Sequence, residues 1–223
     1  MSIFLNEAAS FEILNRAGIA TARCIEVHSR DEALLAAENI GEPVVLKILS
    51  ADIRHKSDVD GVMLGVSTDQ IQDAYDRLIA HVSAIVPQAH IEGALVAETI
   101  TSGLEMAIGL SKDPQFGMVV MVGMGGLYLE VYQDLALRLA PVTLREAEAM
   151  IAELKIHGIV EGKRGMIYDQ QALAETIVAV SELQESYPQI EALDINPFFL
   201  FAAGQGGKAG DAVIQSSSCF DIR

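Results

Sequence analysis

Basic residues are scarce in this chain: 15 Lys plus Arg stand against 31 Asp plus Glu, leaving a formal charge of -16 over 223 residues. So acidic a surface disfavours nucleic acid and anionic membranes as partners. Any phosphate bound here must be held by local groups. Cysteine is almost missing: Cys24 and Cys219 are far apart and lack the His or Cys spacing of a zinc site, so a reducing cytoplasm is the expected compartment. Long apolar runs are missing too. The most continuous, Met118 to Leu129, is interrupted by three glycines and is too short to span a bilayer as a helix. The first 18 residues carry acidic groups and helical periodicity, so no export signal is expected.

The length fits one large domain or two small lobes, and the pattern favours two lobes, 1–93 and 94–223. Residues 5–17 have an amphipathic helical period closed by Gly18. A strand is expected at 23–28, a helix at 31–40 capped by Ser29 with Glu32, and a buried strand at 43–48. Strand 62–66, helix 70–86 and strand 94–99, leading out of the first lobe, complete a β-α-β alternation. Closely spaced strands follow at 104–110, 118–123, 127–131 and 136–140, which predicts an antiparallel sheet. Thr143 and Glu146 form a capping box for a helix to Leu154, a second helix spans 170–185, and strands follow at 190–195 and 197–202. The Gly-rich tail AAGQGGKAGDAVIQSS is expected to form a long mobile hairpin loop.

The chemistry concentrates in PVVLKILSADIRHKSD, residues 43–58. An ammonium group in a buried strand is costly unless an anion meets it, so Lys47 needs a partner: a phosphate or one buried carboxylate. The adjoining loop favours phosphate, because Arg54, His55 and Lys56 bring cations around a candidate nucleophile. Flanking cations disfavour the imidazolium form of His55 and keep a ring nitrogen available. In VVMVGMGGLYLEV, Gly123, Gly125 and Gly126 allow a tight turn or close approach to a ligand, without the dinucleotide fingerprint. Downstream, Glu130, Asp134 and Arg138 read as site groups over a charged sheet edge. Asp194 and Asn196 share a strand face and offer the hard oxygens that suit Mg2+, an Asx turn before Pro197 being the plain alternative.

Taken together, GIATARCIEV, GEPVVLKILSADIRHKSDVDGV, LEMAIGLSKDPQFG, GMGGLYLEVYQDLALRLAP, EGKRG and LDINP resemble the ATP-grasp domain of the NDP-forming acyl-CoA synthetases. The nearest form is the ADP-forming acetyl-CoA synthetase β subunit, and the succinyl-CoA synthetase β subunit is more distant. The resemblance implies an ATP-grasp fold of mixed α and β structure, with the nucleotide between two lobes. It places Lys47 on the phosphates, Glu98, Thr99 and Ile100 at the adenine, and Glu105 near the ribose. It further places Lys112, Gly125 and Gly126 around ATP or ADP, and Asp194, Asn196 and Asp221 on Mg2+. His55 would carry phosphate on a moving loop between a CoA-ligase portion and ADP, with Arg54, Lys56 and Arg138 stabilising the transferring group.

Two features depart from the family pattern: Asp60-Gly61 replaces Gly-Gly after HKSDV, and a Gly-rich insertion precedes CFDIR. No CoA-binding domain is recognisable, so a CoA-ligase α subunit or fused domain is the expected partner, and a homodimer is compatible with the 51% hydrophobic content. Two rival readings are an ATP-grasp carboxylate-amine ligase without phosphohistidine and a non-catalytic nucleotide-sensing module.

Overall fold

A computed structural model describes residues 2–53, 55–126, 134–163 and 165–218. A short strand β1 (Ile3–Phe4) and helix α1 (Glu7–Arg16) come first, with Asn6 Oδ1 accepting the Ala9 N–H at 2.9 Å to cap the helix. Then follow β2 (Cys24–Val27), α2 (Arg30–Ile40), β3 (Val44–Leu49), a single 3-10 turn (Lys56–Val59), β4 (Val62–Val66), α3 (Ile71–Ile85) and β5 (Gly93–Glu98). The chain continues through β6 (Leu104–Asp113), β7 (Gly117–Met124), β8 (Leu135–Leu139), α4 (Leu144–Glu153), α5 (His157–Val160) and α6 (Gln170–Ser186). It ends, among the described residues, with β9 (Ile190–Leu200), β10 (Gly207–Ala209) and β11 (Ala212–Ser216).

These elements form two compact units: Asn6–Ala9 with Ala22–Thr101, and Met1–Leu5 and Ser10–Thr21 with Ser102–Arg223. Residues 94–101, which the sequence pattern assigns to the second lobe, lie in the first of these units. There β5 pairs along its length with both β2 and β3.

The smaller unit is a four-stranded antiparallel sheet in the order β2-β5-β3-β4. Every residue of β3 is buried, Lys47 included, as expected of a strand that is otherwise wholly apolar. Val44, Leu46 and Ile48 join the core under α2 and α3, whose apolar stripes include Ala33, Ala37, Ile71 and Leu78. The alternation of a strand therefore turns Val45 and Lys47 to the opposite face.

In the larger unit the sheet order is β1-β11-β9-β6-β7-β8, with β10 also on β9. One face buries Ile108, Val120, Leu193 and Ile195, and α6 packs over β6, β7 and β9 with Leu173, Ile177 and Val180 inward. The capping box is formed: Thr143 Oγ1 accepts the Glu146 N–H while Glu146 returns to Thr143 N at 2.8 Å. Two expectations change here. The strands at 190–195 and 197–202 are one strand, β9, and the Gly-rich tail is β10 and β11, both paired to β9, instead of a long loop. Its glycines serve close approach: a Cβ at Gly207 would lie 2.5 Å from the Phe198 ring, and one at Gly210 2.4 Å from the Phe199 ring. The strand expected at 127–131 lies outside the described residues.

Candidate functional site

Lys47 leaves the centre of β3 on the face away from α2 and α3, and its Nζ lies 2.6 Å from Glu7 Oε1. Glu7 stands in the first turn of α1, where a carboxylate also favours the helix dipole. Its second oxygen, Oε2, lies 2.8 Å from Lys56 Nζ. The three groups are 7%, 2% and 5% exposed in the order Lys47, Glu7, Lys56, so two buried ammonium groups meet on the two oxygens of one buried carboxylate. Charges this deep persist only when paired. The buried-carboxylate alternative for Lys47 is thus what the structure holds, and Glu7 is the residue that the sequence pattern misses. Forty positions separate it from Lys47, and an acidic residue in a first helical turn looks like ordinary dipole complementation.

Lys56 opens the 3-10 turn, and its burial tethers that turn. His55, one residue earlier, is exposed, and its carbonyl accepts the Asp58 N–H at 3.1 Å. Asp60 closes the turn in the left-handed region, φ 50 and ψ 34, which glycine adopts without cost and aspartate tolerates. Gly61 has a different constraint, since a Cβ there would lie 2.8 Å from Ile48 Cγ2 and 2.9 Å from the Lys56 carbonyl. The chain therefore keeps glycine where a side chain would collide and departs from it where only backbone preference is at stake.

Near the start of β2, the Cys24 thiol is pushed up to about 11 by burial, and then by Glu7. At the end of β5, Glu98 turns its carboxylate to Arg23: Oε1 accepts the Arg23 N–H at 2.9 Å, and Oε2 lies 3.4 Å from Arg23 Nε. Thr99 Oγ1 donates to the Pro43 carbonyl at 2.6 Å, and Ile100 is half-buried beside it. Glu98, Thr99 and Ile100 are thereby tied to Arg23 and Pro43 at the C-terminal end of β5.

The larger unit gathers a second set of expected residues. Gly125 N donates to the Glu105 carbonyl at 2.9 Å, and Gly126 N donates to Asn196 Oδ1 at 2.9 Å. Gly126 has a φ of +64, the left-handed region that favours glycine, and a Cβ there would also crowd Glu105 Oε2 at 2.5 Å. Glu105, Gly125, Gly126 and Asn196 form one polar cluster over β6, β7 and β9. Asp194 is exposed two residues before Asn196, while Ile195 between them is buried. An amide oxygen has two acceptor positions, so Asn196 can hold Gly126 and still ligate. One carboxylate and one amide oxygen fit Mg2+, which takes few protein ligands together with substrate phosphates. Among the described residues no cluster of three or more His, Cys, Asp or Glu side chains forms a cage for a metal.

Other expected residues are elsewhere. Lys112 is exposed near the far end of β6, opposite Met118. Arg138 pairs with Val120 across β7 and β8, whereas Asp194 pairs with Gly109, Gly109 with Met121 and Met121 with Leu137. Arg138 is thus on the face opposite Asp194, and its guanidinium binds Glu153 of α4 and the Leu137 carbonyl. Asp134 is not a site group. It is buried, and its two oxygens accept the N–H groups of Lys155 at 2.8 Å and Ile156 at 3.0 Å, tying β8 to the connection after α4. Arg54, Glu130 and Asp221 lie outside the described residues.

With this geometry in place, comparison with known proteins is specific. The ATP-grasp domain pattern matches residues 2–215, and the chain belongs to that family and has its fold. An Archaeoglobus fulgidus acetate–CoA ligase (ADP-forming) I is 40% identical over 198 residues, covering 88% of this chain but 29% of the relative. This chain therefore spans under a third of that relative's length. The Pyrococcus furiosus acetate–CoA ligase (ADP-forming) I subunit beta is 36% identical over 88% of this chain and 86% of its own length. Among solved structures, a Ca. Korarchaeum cryptofilum dinucleotide-forming acetyl-coenzyme A synthetase 1 superimposes with a TM-score of 0.85 at 33% identity, covering 95% of this chain and 92% of that one. It was solved with coenzyme A, acetyl-coenzyme A and a phosphorylated phosphohistidine segment.

Proposed function

We propose that this chain is the nucleotide-binding and phosphoryl-transfer component of an ADP-forming acyl-CoA synthetase, completed by a CoA-ligase subunit or fused domain. The observation that carries the reading is His55: an exposed imidazole at the head of a turn whose next residue is anchored in the interior through Glu7. Such a ring is presented to a reactant while its backbone is held, which is what a group that accepts and returns phosphate needs. The similarity to acetate–CoA ligases and to a synthetase with a phosphohistidine segment supports the same assignment.

In the direction from ATP, an unprotonated ring nitrogen of His55 forms the new N–P bond to the γ-phosphorus as the bond to the β,γ-bridging oxygen breaks. ADP leaves, and the ring's other nitrogen releases its proton to solvent. In the reverse direction a β-phosphate oxygen of ADP takes the phosphoryl group and the imidazole recovers its proton. On this reading Lys47 would receive nucleotide phosphate, Glu98 to Ile100 would line the adenine, and Glu105 with Gly125 and Gly126 would serve the sugar and phosphates. Asp194 and Asn196 would hold Mg2+, which neutralises phosphate charge during transfer. Incubation with γ-labelled ATP and Mg2+ tests the reading: acid-labile, base-stable label is expected on the wild type and not on His55→Ala. Confirmed nucleotide binding without label would favour the carboxylate-amine ligase or the sensing-module reading.

A further inference from the structure

We propose that Glu7 is a positioning residue that links nucleotide phosphate on Lys47 to the docked position of the His55 turn; this rests on the reading that Lys47 receives phosphate. The observation is the shared carboxylate. Lys47 occupies Oε1 at 2.6 Å and Lys56 occupies Oε2 at 2.8 Å, all three groups being nearly inaccessible to solvent. In such surroundings each ion pair is strong, and each lysine weakens the hold of Glu7 on the other.

The consequence is a linkage with a definite sign. When Lys56 is seated, the charge of Glu7 is divided, and Lys47 can turn to an incoming phosphate at reduced cost. When Lys56 is absent, Glu7 no longer divides its charge with that lysine, and phosphate must displace a tighter Lys47–Glu7 ion pair. Reciprocally, phosphate on Lys47 leaves Glu7 to Lys56 and holds the turn that bears His55. Because Asp60 N and Gly61 N both return to the Lys56 carbonyl, the latter at 2.7 Å, the hold on Lys56 extends through the whole turn. His55 is then fixed most firmly when there is nucleotide to react with.

The experiment is calorimetric titration of the full chain with Mg-ADP and, as a phosphate-free control, adenosine. Lys56→Met is expected to weaken Mg-ADP about fivefold or more, the lower range for coupled sites, with adenosine unchanged. Glu7→Gln combined with Lys56→Met is expected to return Mg-ADP to wild-type affinity or tighter, since the competitor for Lys47 is gone. This double variant removes one charge of each sign, so the test does not depend on Glu7→Gln alone folding with two buried lysines; thermal melts verify each protein. A merely structural role gives no such restoration. Equal weakness of the single and double variants overturns the role of Glu7 while leaving the phosphate reading intact. If Lys47→Met leaves Mg-ADP affinity unchanged, the phosphate reading and the linkage fall together.

Discussion

At the scale of the residue, environment decides role more than residue type does. Asp134 and Asp194 are both carboxylates in the larger unit, yet one is buried under two backbone N–H groups and the other is exposed beside Asn196. Asp134→Ala leaves the buried Ile156 N–H and the part-buried Lys155 N–H unmet and is expected to lower stability by about 2 kcal/mol, measured by denaturant unfolding, with Mg-ADP affinity of the folded protein unchanged. Cys24 offers a second check. Its thiol stays protonated to about pH 11, so alkylation followed by peptide mapping should be slow near neutrality and rise roughly tenfold per pH unit up to that value. Fast modification at neutral pH would contradict a half-buried thiol under the influence of the Glu7 carboxylate. Lys47 itself was legible as a lysine in need of an anion. Its anion was not, because Glu7 reaches it only through tertiary packing.

At the scale of the element, local signals were read well where they are local. Ser29 and Thr143 cap their helices as their spacing from Glu32 and Glu146 implies. The run of β3, apolar but for Lys47, is a fully buried strand. What failed was composition read as conformation: glycines at 207 and 210 suggested mobility, yet they make room for aromatic rings in a paired hairpin. The same distinction gives a prediction at the His55 turn. Asp60→Gly removes a left-handed aspartate and is expected to stabilise the chain by up to about 1 kcal/mol, whereas Gly61→Ala collides with Ile48 and destabilises; thermal unfolding reads both.

Asp169 ties the N-terminus of α6 to the 202–206 turn by accepting from Ala172 N at 3.1 Å and Gly206 N at 2.9 Å. The Gly206 N–H above all, then that of Ala172, holds its carboxyl below the ordinary 3.8. A depressed carboxyl stabilises the fold above its unfolded value and loses that contribution as pH falls below 3.8 toward the folded value. The melting-temperature deficit of Asp169→Ala, worth about 1 kcal/mol near neutrality, should therefore shrink in strong acid. A deficit unchanged by acid would remove Asp169 as the cause.

At the scale of the whole molecule, the acidic surface and the cationic interior groups divide the work. A charge of -16 disfavours nucleic acid and anionic surfaces as partners, so under the proposed reading phosphate would be held by individual groups such as Lys47. The motifs of the candidate site were legible because the glycines, the LDINP oxygens and the HKSD turn are each contiguous in sequence. The side of the sheet on which a residue falls was not legible: Arg138 looked like part of the acidic cluster, and strand register turned it toward Glu153. The central claim is that His55 carries phosphate. Its most direct measurement is phosphoryl transfer from γ-labelled ATP with Mg2+ to the full chain, located by peptide mapping. The account predicts acid-labile, base-stable label on the peptide containing His55, lost in His55→Ala with Mg-ADP binding retained; label that persists in His55→Ala, or lies on another residue, would contradict it.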